Sequence, residues 1–298
     1  MYKFDPCIIC NSDQWKNIYK GNVRDGIFGK YIQGEVRECR NCKVQKLNEE
    51  ACIKHSLYEG KEYRDSLHQG SEIDDHYKIH DKLVEHSFKH LWDLNLRNKV
   101  IADIGCGGGT LLDHISNVSS RCIGVEPNLE FSNSLKKRGY EHFSSTKECI
   151  STYKNKIDIV VSTQVIEHVE DPKKFLNEIK SLLKPKVGIA MITTPNREEI
   201  LMNLLKKDFA QFFYRSQHRW NFNGKSIKNC AKHAGFKKIK LLFTHRYGIS
   251  NTFNWLIEGS PKGNKKISKI NKNLDDLWVS WLESNKLSDN LCLILENE

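Results

Sequence analysis

The chain has 298 residues, 39% of them hydrophobic and 28% charged, with a formal net charge of +10. That size holds one large domain with additions or two modest ones, and the balance excludes a disordered or fibrous chain. No apolar run is long enough to cross a bilayer and Met1–Cys10 carries no apolar leader core, so a cytoplasmic protein is expected.

The positive balance has two readings: an anionic partner, or a composition rich in Lys, Asn and Ile throughout. Residues 1–50 hold two Cys-x-x-Cys pairs, Cys7 with Cys10 and Cys39 with Cys42, separated by 28 residues of Gly-punctuated, β-like sequence. Without a secretory leader, such pairs read as metal ligands rather than disulfides. Four thiolates satisfy tetrahedral Zn²⁺ and leave no open position, so a structural zinc ribbon is expected. A segment this small builds little core of its own, and the metal would supply folding free energy.

Residues 51–98 are expected to be a helical linker or cap. Ile79, Leu83, Val84, Phe88, Leu91 and Trp92 recur at helical spacing and should face the next domain. From residue 99 to 298, apolar strands alternate with helices. Strands are predicted at Lys99–Ile104, Cys122–Val125, Tyr140–Phe143, Ile157–Val161, Val187–Thr193, Lys237–Phe243 and Asn290–Glu296. Helices are predicted near 109–118, 128–138, 172–184 and 224–234, the alternation that builds a parallel, doubly wound α/β sheet.

The first of these strands ends in Asp103-Ile-Gly105-Cys106-Gly107-Gly108-Gly109. Glycines there let the backbone turn tightly and a ligand approach closely at the carboxyl end of a strand. A dinucleotide fingerprint needs its third glycine at position 110, which is Thr. Glu126 lies 21 residues after Gly105 at the end of the second strand, where a carboxylate can accept both ribose hydroxyls of a nucleoside. That contact serves several cofactor types alike.

The spacing D-x-G-x-G-x-G resembles the first motif of the class I S-adenosylmethionine-dependent methyltransferases. Val165-Ile-Glu167-His168-Val-Glu-Asp171-Pro172 after the fourth strand, and Leu182-Leu-Lys-Pro through Thr194-Pro195-Asn196 at the fifth, are similar to that family's later motifs. One departure is the Lys184-Pro-Lys-Val-Gly188 turn, which is longer than the family's Lys-Pro-Gly-Gly. Within the family the pattern is closest to the ubiquinone O-methyltransferase-like and sugar methyltransferase branches, some of which carry an N-terminal zinc-binding segment.

The resemblance implies a seven-stranded Rossmann-like sheet whose last strand is antiparallel and inserted beside the fifth, with residues 245–289 as a helical cap insertion. It implies S-adenosyl-L-methionine bound by Asp103, Gly105, Cys106, Gly107, Gly109, Glu126, Pro127 and Gln164, Cys106 being there as a small residue that fits. Tyr247, Asn251, Asn254, Trp255 and Pro261-Lys-Gly263 are similar to residues of methyltransferases from polysaccharide gene clusters. The expected acceptor is a sugar hydroxyl, on a nucleotide sugar or a surface-polysaccharide precursor. A hydroxyl needs a base, and two histidines are placed for it: His218, before the helix from Gly224, and His168, after the fourth strand. RNA is the alternative acceptor, but Ser162-Thr-Gln-Val165 replaces the Asn/Asp-Pro-Pro-Tyr segment of base N-methylation, and no Arg-rich stripe appears. The cluster Lys262, Lys265, Lys266, Lys269 and Lys272 suits RNA, a pyrophosphate or solvent equally. A scaffold that kept the fold without the chemistry is the remaining alternative.

Overall fold

The computed structural model describes residues 5–60, 73–83, 88–263 and 265–298. Strand β1 (Trp15–Arg24) and β2 (Tyr31–Cys39) form an antiparallel hairpin, followed by the short β3 (Gln45–Leu47). Helix α1 (Ile73–His80) precedes β4 (Val100–Ile104), α2 (Thr110–Ile115), β5 (Arg121–Val125), α3 (Leu129–Lys137), β6 (Glu141–Phe143) and α4 (Thr146–Tyr153). Then come β7 (Ile159–Thr163), α5 (Pro172–Leu182), β8 (Ile189–Pro195), α6 (Ile200–Leu205), α7 (Lys207–Phe213) and β9 (Trp220–Asn221). Last are α8 (Gly224–His233), β10 (Lys238–Thr244), α9 (Ile249–Glu258), α10 (Lys272–Ser284) and β11 (Asn290–Glu296).

The larger sheet has the order β10-β11-β8-β7-β4-β5-β6. Its members from β6 to β8 run parallel, while β11 lies antiparallel between β8 and β10. This is the sheet expected from the resemblance, its last strand inserted beside the fifth of the domain. Ile159-Val-Val161 is a continuous apolar run because helices cover both faces of the sheet. Helix α5 shows how the local signals work. The Asp171 side chain caps it by accepting from the Lys174 amide, Pro172 opens its first turn, and Phe175, Leu176, Ile179 and Leu182 form its buried stripe. The Lys184-Pro185 pair beyond it stops the helix.

A second sheet of order β1-β2-β3-β9 holds the N-terminal hairpin. Its fourth strand comes from the other end of the fold: Gln45 faces Asn221 and Lys46 faces Trp220. Cys7, Ile9, Cys39 and Val44 share one buried cluster with Trp220, Phe222 and Phe236 of the larger unit. The hairpin's other face buries Val23 and Val36 against Phe209, Phe213 and Trp255.

Residues 51–98 are less helical than their periodicity predicts. Among the described residues there are single turns and the eight-residue α1. Phe88 and Leu91 are buried beneath the sheet as expected, whereas Trp92 faces solvent at 54% exposure. Val84 lies outside the described residues. Helices α4, α6 and α7 were not anticipated, because their apolar residues fall in runs too short to show a period. No helix among the described residues is long and apolar enough to cross a membrane.

Candidate functional site

The glycine turn sits at the carboxyl end of β4. Gly105, Gly107 and Gly109 have φ of 78°, 53° and 85°, the left-handed region that side chains disfavour. A Cβ on Gly105 would stand 2.4 Å from the Val165 side chain, so the turn leaves no room for one. The loop is held from both sides. The Glu126 carboxylate accepts from the Gly107 amide at 2.9 Å and the Asn128 amide at 3.1 Å. His76 of α1 accepts from the Gly108 amide at 3.0 Å, Tyr77 donates to the Gly108 carbonyl at 3.0 Å, and Arg138 donates to the same carbonyl.

A cavity of about 400 Å³ opens beside this turn. Asp103, Gly105, Cys106, Gly107, Glu126, Pro127, Gln164, His168 and His218 all reach its wall. Gly109 does not: it stands behind the wall, where a Cβ would meet Leu135 at 2.6 Å, so its bareness serves helix packing. Asp103 is buried and its Oδ1 has no hydrogen-bond partner among the described residues. Burial, and then the Glu126 charge, push its carboxyl up to about 7. A buried acceptor without a donor, next to a turn that excludes side chains, fits a ligand that brings polar hydrogens. Gln164 has φ of 56° and donates to Asn290 Oδ1 at 3.0 Å, which aims β7's end across the sheet toward β11.

The two histidines meet at the far end of the cavity, their ring centroids 4.9 Å apart and nearly perpendicular. His168 Nδ1 is 2.7 Å from the Gln217 carbonyl, which can only accept. The ring proton therefore sits on Nδ1 and Nε2 keeps its lone pair. Tyr58 reaches in from the N-terminal segment, its hydroxyl 3.0 Å from the same Nδ1. Burial first, then the Arg215 charge, pull His168 down to about 4 and His218 well below its usual range, so both rings are neutral. Beside them Glu167 is fully buried, and burial pushes it up to about 7. Its Oε2 accepts from Thr194 at 2.9 Å, while Oε1 lies 3.8 Å from His168 Nε2 with no hydrogen-bond partner. Glu167, His168 and His218 offer ligand atoms within 4.8 Å of one another, a carboxylate and two neutral imidazoles that suit a divalent cation.

Sequence reasoning missed His76, Tyr58, Arg215 and Arg246, which also line the cavity. His76 had a faint signal, a histidine on the inner face of a predicted helix. The arginines had none, since an isolated Arg reads as a surface charge.

The four paired cysteines converge as expected. Cys7 Sγ is 3.7 Å from Cys42 Sγ and Cys10 Sγ 3.6 Å from Cys39 Sγ, and all four lie within 4.8 Å of one another. A tetrahedron of ~2.3 Å Zn–S bonds has edges of about 3.8 Å, so the donor set fits Zn²⁺ without rearrangement.

The lysine cluster is largely spoken for at the surface: Lys262 and Lys265 pair with Glu258, Lys266 with Asp275 and Lys272 with Asp276. The residues similar to polysaccharide methyltransferases hold the cap together. Asn251 donates to the Gly263 carbonyl at 3.0 Å, Asn254 to the Lys265 carbonyl at 2.9 Å, and Trp255 is buried.

A family model described as a methyltransferase domain matches residues 76–241. The mitochondrial ubiquinone biosynthesis O-methyltransferase of Rattus norvegicus is 28% identical over 155 residues, 48% of this chain and 45% of that protein. The ubiquinone biosynthesis O-methyltransferase of Coxiella burnetii is 23% identical over 181 residues, 54% of this chain and 73% of that protein. The chain spans about half the length of the first curated relatives it matches. Among solved structures, an S-adenosylmethionine-dependent methyltransferase from Archaeoglobus fulgidus aligns with a TM-score of 0.51 at 17% identity, covering 74% of this chain and 97% of that one. A possible histamine N-methyltransferase from Thermotoga maritima aligns at 0.50 and 17% identity, covering 76% and 94%. At these identities the likeness is one of fold.

Proposed function

From the premise that this chain belongs to the methyltransferase domain family, of the class I S-adenosylmethionine-dependent type, we propose that it transfers the sulfonium methyl of S-adenosylmethionine to a hydroxyl oxygen, most plainly a sugar hydroxyl. One observation carries this reading: a single cavity joins the glycine turn, the unpartnered Asp103 oxygen and Glu126 to the neutral pair His168 and His218. Asp103, Gly105, Cys106, Gly107, Glu126, Pro127 and Gln164 would face the cofactor, with Glu126 giving up part of its hold on the turn's amides to accept from the ribose. Cys7, Cys10, Cys39 and Cys42 would hold a structural Zn²⁺.

The sulfonium methyl is already activated, so the protein's task is to hold the acceptor oxygen in line and exclude water. Neutral imidazole is the form that accepts a proton. Because both rings are weakly basic, proton removal accompanies methyl transfer rather than preceding it, with His218 nearest the acceptor side and His168 behind it. The buried Glu167 carboxylate stabilises the imidazolium that results. Its unpartnered Oε1 favours a second reading of the same corner. With a divalent cation bound, Glu167, His168 and His218 would be its ligands, and the cation would supply Lewis-acid activation of the hydroxyl. The names of the relatives, ubiquinone biosynthesis O-methyltransferases, point to an oxygen of a ubiquinone precursor as the competing acceptor.

Calorimetric titration with S-adenosylhomocysteine tests the cofactor half. Micromolar binding is expected, and loss of about 100-fold or more in Asp103→Ala with Glu126→Ala, since both remove charge-assisted contacts. A folded wild-type protein that binds nothing would leave the scaffold reading standing. Turnover on a panel of nucleotide sugars and ubiquinone precursors then separates the acceptors, and its dependence on added divalent cation, with the cysteine site left loaded with zinc, separates the two forms of the base.

A further inference from the structure

A second cavity, of about 270 Å³, adjoins the first, and Arg215, His218 and Arg246 line both. Its outer wall is Arg24, the last residue of β1, which no sequence motif marked. The backbone sets Arg24 beside Arg215: the Arg24 amide donates to the Tyr214 carbonyl at 3.0 Å, and the Ser216 amide donates to the Arg24 carbonyl at 2.9 Å. The Arg24 guanidinium lies over the Phe212 ring, 4.0 Å from its centroid. Its Nε is buried without a hydrogen-bond partner, and Arg24 forms no ion pair among the described residues.

The carboxylates nearby do not offset that charge. Asp289 is taken by Arg246, whose amide donates to its Oδ1 at 3.1 Å and whose Nε donates to its Oδ2 at 2.6 Å. Glu199 also lines the cavity, but burial and the Asp289 charge hold it well above the usual range, toward the neutral acid. Arg215 spends its Nε on Gln217 Oε1 at 3.3 Å. Burial, and then the neighbouring Arg215, pull Arg24 down to about 9, the mark of a cation that the fold buries against a like charge. Holding a half-buried guanidinium beside a like charge is costly unless an anion completes the site.

We propose that this second cavity is an oxyanion subsite for the acceptor, in which Arg24 and Arg215 hold a phosphate or diphosphate group while His218, on the shared wall, faces the hydroxyl to be methylated. The proposal rests on the methyltransferase reading for its role, though not for the binding itself. Two guanidinium forks side by side match phosphoryl oxygens bidentately, and adjacent phosphoryl groups carry enough charge to satisfy both. Trp255, whose ring centroid lies 4.8 Å from that of Phe212, lines the same cavity and offers an apolar surface for a ring carried by the same ligand. The shared chemistry is an oxyanion, and a carboxylate is its other source.

The test is calorimetry of the full-length protein with inorganic pyrophosphate and, separately, malonate at matched ionic strength. Pyrophosphate is expected to bind, and Arg24→Gln to weaken it by about 10- to 100-fold, as for loss of a charge-assisted contact, with Arg24→Lys in between. Pyrophosphate binding that is absent, or unchanged in Arg24→Gln, overturns the subsite. Malonate binding in place of pyrophosphate overturns the phosphate assignment. Modification of the wild-type protein by phenylglyoxal, mapped by mass spectrometry, needs no variant. Pyrophosphate should protect Arg24 and Arg215 but not the exposed Arg121, and equal labelling with and without it counts against the proposal. S-adenosylhomocysteine is titrated in parallel: its binding retained while pyrophosphate fails sinks the subsite alone, and its failure sinks the cofactor reading alone.

Discussion

The proposed cofactor wall draws Asp103, Gly105, Gly107, Glu126 and Pro127 from 25 consecutive positions, whereas the acceptor wall gathers Arg24, Tyr58, His168, Arg215, His218 and Arg246 from across the chain. The first is a property of two adjacent strand ends in a parallel sheet, and its geometry follows wherever that sheet forms. The second exists because β9 pairs with β3 and Arg24 bonds to the backbone of Tyr214 and Ser216, which together hold the N-terminal hairpin against the segment that carries Arg215 and His218. The difference shows which parts of the molecule can fail separately. Damage to the N-terminal segment should dismantle the acceptor side and spare the cofactor side.

The largest effect expected is from metal loss. Stripping zinc with a chelator, or Cys7→Ser, should unfold the N-terminal sheet and abolish turnover, while S-adenosylhomocysteine affinity changes by no more than about threefold, since the metal's binding energy is that segment's folding energy. Elemental analysis showing no zinc in an active protein, or loss of both functions together, would break the division. His218→Ala comes next. It should lower kcat by about 100-fold or more with little change in cofactor affinity, as for loss of a general base. An unchanged kcat removes His218 and leaves His168 to be tested in the same way.

Asp103 sharpens the comparison from the cofactor side. Its folded-state carboxyl is raised, so the native protein holds that proton more tightly than the unfolded chain does. Stability of the ligand-free protein should therefore fall as pH rises from the ordinary carboxylate range through about 7. Asp103→Asn should lessen that slope, leaving the share of the raised Glu167 and Glu199, and stabilise the ligand-free protein at pH 8 by a few kcal/mol at most, since each tenfold gain in proton affinity on folding is worth about 1.4 kcal/mol. Urea unfolding of both proteins at acid and alkaline pH measures this, and parallel pH profiles would contradict it. The smallest effect is expected at Lys262→Gln. Its partner Glu258 is solvent-facing, so the urea midpoint and the turnover rate should both match those of the wild type.

Legibility in the sequence followed the same division. The parallel α/β character of the larger sheet was readable because strand–helix alternation is local and the glycine turn is contiguous, and the place of β11 came from the family resemblance that those motifs carry. Asp103, Glu126 and the four cysteines were readable because their chemistry requires particular spacings. Arg24 was not, since nothing in Val23-Arg24-Asp25 distinguishes a half-buried guanidinium on a cavity wall from a solvated one. Tyr58 and Arg246 were hidden for a similar reason: their partners lie more than a hundred and about forty residues away, at His168 and Asp289. Helix α1 was only half readable, its inner face being set by the glycine turn it covers rather than by its own period.

Strand β10 touches the larger sheet through β11 alone. Until residues 290–296 return from beyond the cap, β10 presents a full row of unpaired amides and carbonyls on a half-apolar ribbon, and β8 an equally bare flank. A nascent or refolding chain must close a loop of more than forty residues before either is covered. The interval before that closure is when this protein is most exposed to edge-to-edge association with its own copies, and shortening the chain by its final strand would cost the sheet two members instead of one.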